Sequence, residues 1–552
     1  MQVVVPMSGF GERFRRAGYD IPKPLIRVDG RPIIGHVCDM FPDVEDIIFI
    51  CNTEHLSEPS FRMEEILRDL RPNGRIVPVP PVRQGPVQAI LNASHAIDVD
   101  RPTVINYCDF TCFWDFGNFT RFVQESACDG AIPAYTGFHP HMLGSTNYAY
   151  VRERDGWVLD IQEKKPFTDT PMSEYASSGT YYFRSGALAL ECCRRSRADD
   201  SLLLNGEHYV SLAYKPLLTD GGSVAVYPLQ HFMQWGTPED LATYRNWSRA
   251  FRRLAAPSAP APRQEGAVMI PLAGAGSRFV KEGYALPKPL IPVSGSPMVL
   301  QATSDLPQAD NHVFILRADL PGRLDIEAAI QAANPSANLK ILDAITDGQA
   351  RTCLMGLDDV QEDAPLTIGA CDNGVLYDPE RLFALLEEPL ADVIVWVARG
   401  HANAVRHPHM YGWVDADGDR VRSVSVKQPL SDPKHDPIVI GTFTFRRARD
   451  FKSCAEHMIA RNARVNGEFY VDTCINDAVQ LGLSVRIMEV DGYLSWGTPD
   501  ELRTFNYWQS CFHKWPHHPY SLEKDRRVPA SQRASLERVY APEPPRLPVK
   551  RP

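Results

Sequence analysis

The stretch VVVPMSGFGERFRRAGYDIPKPLI, residues 3 to 26, begins as a short apolar run and passes through two glycines and an arginine to a lysine between two prolines. Residues 268 to 291, VMIPLAGAGSRFVKEGYALPKPLI, repeat this pattern. A glycine-rich turn after a strand lets the backbone approach an anion closely, and a helix that begins nearby adds a favourable dipole. The sequence therefore predicts two strand–turn–helix units that bind anions. GFGERF is neither a Walker loop nor a complete GxGxxG dinucleotide fingerprint.

The repeat continues along most of the chain. YCDF around Asp109 returns as ACDN around Asp372, and NGEHYV around Glu207 returns as NGEFYV around Glu468. QWGTPEDL near the end of the first half returns as SWGTPDEL in the second half. Self-similarity over such a length indicates two copies of one domain.

The domain boundaries are predicted from this repeat and from composition. RRLAAPSAPAPRQEGA, between the copies, has the Pro and Ala content of a linker, and the last residues are rich in Pro and charge. We expect the tail to be extended apart from a helical turn near Ala534 to Val539. The predicted division is a first domain, 1–251, a linker, 252–265, a second domain, 266–515, and a tail, 516–552.

Short apolar runs alternate with segments of helical spacing in the first copy. QVVVP, DIIFICN, RIVPVP, PTVINYC and GAIPAY predict strands, whereas IIGHVCDMF, FRMEEILRDL and PVQAILNASHAI predict helices. This alternation is typical of an α/β fold, a mainly parallel mixed sheet flanked by helices. Ligands of such sheets bind at the carboxyl ends of the strands, where the glycine-rich stretch and Asp109 are both expected.

Composition and charge restrict the class of protein. The chain has 552 residues, of which 44% are hydrophobic and 23% charged, as in ordinary globular proteins. With 58 Lys and Arg against 68 Asp and Glu, its formal charge of −10 gives no general attraction for nucleic acid or anionic lipid. Without an export signal or a long apolar stretch, we expect a cytoplasmic protein with neither nucleic acid nor membrane as partner. The twelve cysteines lack zinc-site spacing and are interpreted as reduced thiols.

The combined string of glycine, glycine, arginine and Pro-Lys-Pro-Leu resembles the signature of the sugar-phosphate nucleotidyltransferases, the NDP-sugar pyrophosphorylase-like family. The resemblance extends to RQGPVQAIL and TDGQARTCL, to EKKP followed by SGTYYF, and to WGTPEDL, and it covers residues 1–245 and 266–506. It implies two tandem Rossmann-like, GT-A-like domains. It also implies a reaction in which a phosphorylated acceptor, most readily a sugar phosphate, attacks the α-phosphorus of a nucleoside triphosphate and releases pyrophosphate.

The resemblance assigns roles around the nucleotide. Arg13 would clamp the β- and γ-phosphates, Lys23 would neutralise the α-phosphate, and Asp109 would hold Mg²⁺, a hard cation that suits carboxylate oxygens. Gly9 and Gly11 would let the nucleotide lie against the backbone. The other residues that the pattern assigns to nucleotide, metal or catalysis are Gly85, Gly274, Gly276, Arg278, Lys288, Gly348 and Asp372.

The resemblance also assigns an acceptor site. Glu163 in QEKKP would take sugar hydroxyls and Lys164 the acceptor phosphate, although Lys165 fits the place of that lysine equally well. In the second copy Lys427 is retained, but Val426 replaces the glutamate. Because a valine side chain accepts no hydrogen bond, we expect acceptor recognition to differ between the copies. The other residues assigned to the acceptor are Gly179, Glu207 and Glu468.

Three features leave alternatives open. Many family members carry an aspartate two residues before the glycine of the closing motif as a metal ligand, where this chain has Gln234 and Ser495. A second protein carboxylate on the metal is therefore left open, and without one, phosphates or water would complete the coordination. Glu207 fits a helix start, favoured by the dipole, as well as a substrate contact. For the histidines of HPHM, residues 139–142 and 407–410, acceptor contact or loop packing is favoured over a metal site.

Two other classes of function remain. A nucleotide-sugar-dependent glycosyltransferase shares a similar α/β fold but usually needs an Asp-x-Asp motif, which neither CDF nor CDN supplies. A regulatory or binding role fits the second copy, which lacks the glutamate. The expected partners are a nucleoside triphosphate and a phosphorylated small molecule, and the nucleotide base, the acceptor and homo-oligomer formation are left open.

Overall fold

β1 (Gln2–Met7) is buried at every residue and lies inside a sheet between two parallel neighbours. The computed structural model describes residues 1–81, 83–257, 263–272, 274, 276–387 and 391–549. The chain divides into two units, one of Met1–Arg245 together with the chain from Ala541, the other of Asn246–Tyr540.

The first unit contains the elements that the repeat predicts for the first copy. Its further strands are β2 (Arg27–Val28), β3 (Arg31–Pro32), β4 (Ile47–Asn52), β5 (Arg75–Val79), β6 (Thr103–Asn106), β7 (Phe110–Cys112), β8 (Gly130–Tyr135), β9 (Ala149–Arg154), β10 (Trp157–Glu163), β11 (Tyr175–Ser177), β12 (Thr180–Phe183), β13 (Val224–Pro228) and β14 (Phe232–Gln234). Its helices are α1 (Glu12–Arg16), α2 (Ile33–Asp39), α3 (Thr53–Ser57), α4 (Met63–Leu70), α5 (Pro86–Asn92), α6 (Phe116–Ser126), α7 (Gly186–Ala198), α8 (Tyr214–Thr219) and α9 (Pro238–Ala255), which continues past the boundary.

Ten strands of the first unit form one mixed sheet, in the order β11-β9-β10-β13-β8-β12-β6-β1-β4-β5. β5, β4, β1 and β6 are parallel, and β12 is antiparallel to both of its neighbours. Successive residues of β1 belong to different apolar clusters, Val3 and Val5 to one and Val4 to the other. The sheet is therefore covered on both faces, as the alternation of strands and helices predicts.

The second unit repeats this architecture. Its strands are β15 (Arg263–Pro271), β16 (Pro292–Val293), β17 (Ser296–Pro297), β18 (Gln308–Arg317), β19 (Asn338–Leu342), β20 (Leu366–Ile368), β21 (Asn373–Leu376), β22 (Val393–Ala398), β23 (Gly412–Asp417), β24 (Arg420–Val426), β25 (Ile438–Phe445), β26 (Val485–Glu489) and β27 (Gly492–Ser495). Its helices after α9 are α10 (Ser277–Lys281), α11 (Met298–Ser304), α12 (Arg323–Ala333), α13 (Gln349–Leu354), α14 (Pro379–Glu387), α15 (Ala402–Arg406), α16 (Ala448–Ala460), α17 (Val471–Gln480), α18 (Pro499–Lys514) and α19 (Ala530–Tyr540).

The second unit has a nine-stranded sheet with the order β19-β18-β15-β20-β25-β22-β26-β24-β23. Read from β5 to β9, the first sheet has the same order of equivalent strands. The difference is β25, which pairs with β20, β22 and β23 and so spans the places of both β11 and β12. The predicted α/β fold class and its duplication are confirmed.

The predicted linker and tail need correction. α9 runs to Ala255 and β15 begins at Arg263, so both ends of the predicted linker belong to regular elements. The tail is not extended: α19 is an eleven-residue helix, and Leu522, Val528 and Tyr540 form a buried apolar cluster. Because Pro and charged residues dominate the composition of the tail, composition did not reveal the apolar side chains spaced along it. Burial of these side chains folds the segment.

Among the described residues, no helix is both long and apolar enough to cross a membrane. All twelve cysteines are free thiols, as the sequence predicts.

Candidate functional site

The glycine-rich turn of the first copy lies directly after β1. Gly11, with a φ of 64°, adopts the left-handed conformation and caps the start of α1. A Cβ atom on Gly11 would lie 3.6 Å from the Cβ atom of Lys23, so the turn folds back on the PKPL segment. Arg13 is exposed on α1, and among the described residues its guanidinium has no hydrogen-bond or ion-pair partner. An arginine in this state is available to an anionic ligand.

Lys23 and Asp109 form the centre of the site. Lys23 starts a short 3₁₀ helix, Lys23–Leu25, and Asp109 lies between β6 and β7 at the carboxyl edge of the sheet. The Nζ atom of Lys23 is 2.8 Å from Oδ2 of Asp109, and both side chains stay partly exposed. Burial lowers the pKa of Lys23, but the charge of Asp109 and the hydrogen bond to it outweigh burial and raise this pKa overall. The lysine is therefore a fixed positive charge.

The closing motif borders the same carboxylate. The amide of Trp235 donates to the carbonyl oxygen of Asp109 at 2.9 Å. A Cβ atom on Gly236 would lie 3.3 Å from Oδ2 of Asp109 and 3.4 Å from Nε2 of Gln234. The absence of a side chain at Gly236 thus leaves space beside the Asp109 carboxylate.

A second carboxylate, which the sequence analysis missed, is hydrogen-bonded to the closing motif. Asp240 at the start of α9 accepts hydrogen bonds from Nε2 of Gln234 at 2.8 Å and from Oγ1 of Thr237 at 2.7 Å. Burial raises the pKa of Asp240, and the negative charge of Asp109 raises it further. In the sequence, Asp240 is the second residue of the acidic pair in WGTPEDL, and this pair could have indicated a further carboxylate. The carboxylate oxygens and the space at Gly236 fit a hard divalent cation.

Glu163 and Lys164 follow one another at the end of β10. The Glu163 carboxylate accepts a hydrogen bond from Oγ of Ser211 at 2.5 Å, and burial raises its pKa. Lys164 has a φ of 57°, so the chain turns there, and its Nζ atom donates to the hydroxyl of Tyr209 at 2.6 Å. Lys165 is exposed. Of the two lysines left open by the sequence, Lys164 is the one in contact with the NGEHYV loop.

The NGEHYV loop carries Glu207, whose carboxylate accepts a hydrogen bond from the Tyr209 hydroxyl. Gly85 holds this loop against the start of α5. It has a φ of 90°, and a Cβ atom there would lie 2.7 Å from the carbonyl oxygen and 2.8 Å from the amide nitrogen of His208. Gly179, with a φ of 96°, allows similar close packing against the ring of Phe110.

The second copy repeats the nucleotide side of the site. Lys288 contacts Oδ2 of Asp372, as Lys23 contacts Asp109. A Cβ atom on Gly497 would lie 3.2 Å from Oδ2 of Asp372 and 3.4 Å from Oε2 of Glu501, the counterpart of Asp240. Two glycines of this copy adopt a positive φ, 60° at Gly276 and 136° at Gly348, and Gly348 packs on the backbone of Phe469. A Cβ atom on Gly274 would meet no other atom, Arg278 is exposed, and Ser495 is buried.

The acceptor side of the second copy keeps the lysine and its turn. Lys427 has a φ of 62°, and its backbone amide donates to the carbonyl oxygen of Tyr411 at 3.0 Å. The Nζ atom of Lys427 lies 5.8 Å from the ring centre of Tyr470. The hydroxyl of Tyr470 donates to Glu468 at 2.5 Å. Val426, opposite Gly412 in the β23–β24 register, is buried.

The histidines of HPHM are packing residues in the first copy. The ring of His139 packs at an angle of 42° against the ring of Tyr135 with ring centres 4.4 Å apart, and Nε2 of His141 is 3.0 Å from the Tyr135 hydroxyl. Burial lowers the pKa of His139 to about 4 and also lowers that of His141. In the second copy, exposed His409 contacts the carbonyl oxygen of Lys427.

The chain is similar to known nucleotidyltransferases over part of its length. Residues 3–219 match the family model Nucleotidyl transferase. A curated relative, UTP–glucose-1-phosphate uridylyltransferase AglF of Haloferax volcanii, is 24% identical over 248 residues, which are 44% of this chain and 93% of the relative.

Two solved structures are similar over less than half of the chain. The nucleoside-diphosphate-sugar pyrophosphorylase of Vibrio cholerae RC9 is 22% identical, with 43% of this chain and 98% of that chain covered and a TM-score of 0.36. The inositol-1-phosphate CTP transferase of T. maritima is 13% identical, with 45% and 96% covered and a TM-score of 0.36. The family model thus matches residues 3–219, which lie in the first copy of the repeat.

Proposed function

We propose that the first copy transfers a nucleotidyl group from a nucleoside triphosphate to a phosphorylated acceptor, of which sugar phosphates are the preferred class. The observation that carries the proposal is the contact of 2.8 Å between Lys23 and Asp109 at the carboxyl edge of the sheet. It joins a fixed cation to a carboxylate beside a glycine turn and an exposed arginine, which is the charge arrangement that phosphoryl chemistry needs.

The reaction balances without a protein nucleophile. A phosphate oxygen of the acceptor attacks the α-phosphorus, and a new P–O bond forms as the bond to the oxygen that bridges to the β-phosphorus breaks. Pyrophosphate leaves with the electron pair. Because charge spreads over the phosphoryl oxygens, the chain contributes positive charge and positioning. In this proposal Lys23, which contacts Asp109, neutralises the α-phosphate, and the exposed Arg13 binds the leaving phosphates.

Asp109 would hold Mg²⁺, with Asp240 and Gln234 bordering the same space. When bound, the ion supplies charge neutralisation and a fixed geometry for the phosphate oxygens. The Trp235 amide holds the backbone carbonyl oxygen of Asp109, and Lys23 holds its carboxylate, so Asp109 keeps its position at the strand edge.

Glu163, Lys164 and Glu207 form the acceptor side. Lys164 offers an ammonium group to the acceptor phosphate, and Glu163 and Glu207 offer carboxylate oxygens to hydroxyl groups. Carboxylates and a lysine on one wall suit a polyhydroxylated phosphate ester. The Haloferax volcanii relative carries the name of an enzyme for UTP and glucose 1-phosphate, and these are the first substrates to test.

The test is to incubate the full chain with each of the four nucleoside triphosphates and a panel of sugar phosphates, and to measure pyrophosphate release together with the mass of the product. We expect release that requires both substrates and yields a nucleotide-activated product. The matched control is the double variant Lys23→Ala with Lys288→Ala. Sugar transfer from a nucleotide sugar, without pyrophosphate, would instead identify a glycosyltransferase and overturn the proposal.

A further inference from the structure

Three linked differences separate the acceptor sides of the two copies. In the first copy Glu163 at the end of β10 lies opposite Ala149 in β9, and Ser211 donates to the glutamate at 2.5 Å. At the same places the second copy has Val426, Gly412 and Asp472. Compared with the first copy, β24 lacks a carboxylate at its end, whereas α17 carries an additional one, Asp472.

Gly412 leaves the space that the Asp472 carboxylate occupies. Oδ2 of Asp472 lies so close to Gly412 that a Cβ atom there would collide with it. The alanine found at this place in the first copy would therefore exclude the Asp472 carboxylate. Since Gly412 is paired with Val426, the carboxylate lies on the strand pair from which the glutamate side chain is missing.

The helix that carries Asp472 is fixed to the strand. Nδ2 of Asn476 donates to the carbonyl oxygen of Val424 at 2.8 Å, and the amide of Val424 donates back to Oδ1 of Asn476 at 2.8 Å. This double hydrogen bond holds α17 on β24, one helical turn from Asp472. The carboxylate thus keeps a defined position in the second copy.

Asp472 and Lys427 share one electrostatic environment. Burial lowers the pKa of Lys427, and the negative charge of Asp472 opposes this effect. Among the described residues, no side chain donates a hydrogen bond to the Asp472 carboxylate. Its oxygens are therefore available to donors of a ligand bound beside Lys427.

We infer that the second copy has its own site for a phosphorylated, hydroxyl-bearing acceptor, in which Asp472 accepts hydrogen bonds from the hydroxyl groups while Lys427 binds the phosphate. The inference rests on the proposed function and names the residue that sets acceptor specificity in this copy. Because the carboxylate comes from the facing helix instead of the strand, it meets the ligand from a different direction. A different arrangement of hydroxyl groups is then selected.

The test uses the full chain with Lys23→Ala, which disables the first copy, and UTP with a panel of hexose 1-phosphates as probes. Asp472→Asn should raise the acceptor KM about tenfold or more, because hydrogen bonds to a charged group are lost, while the KM for UTP stays within about twofold. The triple variant Gly412→Ala, Val426→Glu and Asp472→Ser should shift the acceptor preference towards that of the first copy. Asp417→Asn, an exposed carboxylate on β23, is the matched control.

Binding decides the inference separately from turnover. Calorimetric titration uses a parent chain with Lys23→Ala and Lys164→Ala, in which the acceptor site of the first copy has lost its phosphate contact, and the Asp472→Asn derivative of that chain. Titration of the same hexose 1-phosphates into both proteins gives the dissociation constants directly. Absence of pyrophosphate release with every substrate pair would contradict the proposed function, whereas a larger dissociation constant in the Asp472→Asn protein would still support the site. Equal constants in the two proteins, or no binding to the parent chain, would overturn the inference. Circular dichroism shows whether each variant is folded.

Discussion

At the scale of the residue, the proposed chemistry depends on charges that are held in place before any ligand binds. The raised pKa keeps Lys23 protonated beside Asp109, and Arg13 is exposed without a described partner. Preorganised charge of this kind lowers a barrier more than charge that must be rearranged during the reaction.

Removal of either cation should therefore reduce the rate without unfolding the protein. In a chain whose second copy carries Lys288→Ala, we expect Arg13→Ala and Lys23→Ala each to lower turnover by about 100-fold or more, or about 3 kcal/mol. Arg16→Ala is the control, because Arg16 lies on the same helix and forms an exposed pair with Glu12 worth little energy. Initial rates of pyrophosphate release measure the effect, and unchanged rates in the Arg13 and Lys23 variants would refute the phosphate-clamp roles.

The carboxylates near Gly236 predict a requirement for a divalent cation. We expect chelation of Mg²⁺ to abolish turnover, and Asp109→Asn to weaken cation binding by about tenfold or more because it removes a charged oxygen ligand. Mn²⁺ binding followed by electron paramagnetic resonance measures this effect without turnover. Asp115→Asn, at the N-cap of α6, is a control outside the site. Undiminished activity in excess chelator would contradict the assignment.

At the scale of the element, glycines hold the loops against the sheet edge. Gly85 combines a φ of 90° with close contact to the backbone of His208, so the start of α5 and the NGEHYV loop are fixed to one another. The position of Glu207 depends on this contact.

Two variants separate the effect of the contact with His208 on the free energy of unfolding from the effect of an unfavourable φ. Gly85→Ala should lower the free energy of unfolding by about 2–4 kcal/mol, because it adds a collision with backbone to an unfavourable φ. Gly206→Ala, with a φ of 80° and open space around it, should cost about 1–2 kcal/mol for the conformation alone. Thermal or urea unfolding of both variants compares them, and equal losses would show that the contact with His208 is unimportant.

At the scale of the whole molecule, the second unit includes a segment that has no equivalent in the repeat. Arg527 is buried, donates to Asp305 at 3.1 Å and lies 3.5 Å from Asp525. Asp305 stands where the first copy has Met40. The ion pair therefore belongs to the second copy and joins the segment after α18 to the end of α11.

Loss of this arginine should destabilise the second unit. Arg527→Ala leaves two buried carboxylates without their cation, which costs about 3–5 kcal/mol. Arg538→Ala, exposed on α19, should change stability by less than about 0.5 kcal/mol. Calorimetric unfolding of the full chain measures both variants, and an Arg527→Ala transition at the wild-type temperature would contradict this account.

The sequence by itself determined the duplication, the α/β class and the central site. Apolar runs such as QVVVP and DIIFICN fold as strands because burial on both faces of a sheet needs continuous apolar residues. Lys23 and Asp109 could be placed together because the carboxyl ends of parallel strands meet at one edge. These features follow from local pattern and from a rule of topology, and neither needs knowledge of side-chain packing.

The tertiary structure alone decided which side chains complete the site. Lys164 instead of Lys165 contacts the NGEHYV loop because the chain turns at a positive φ. Asp240, on one helix, is hydrogen-bonded to Gln234, and Asp472, on another helix, lies against Gly412, which is paired with Val426. Such contacts join residues far apart in the chain, and their geometry depends on how helices pack on the sheet, which periodicity and composition do not encode.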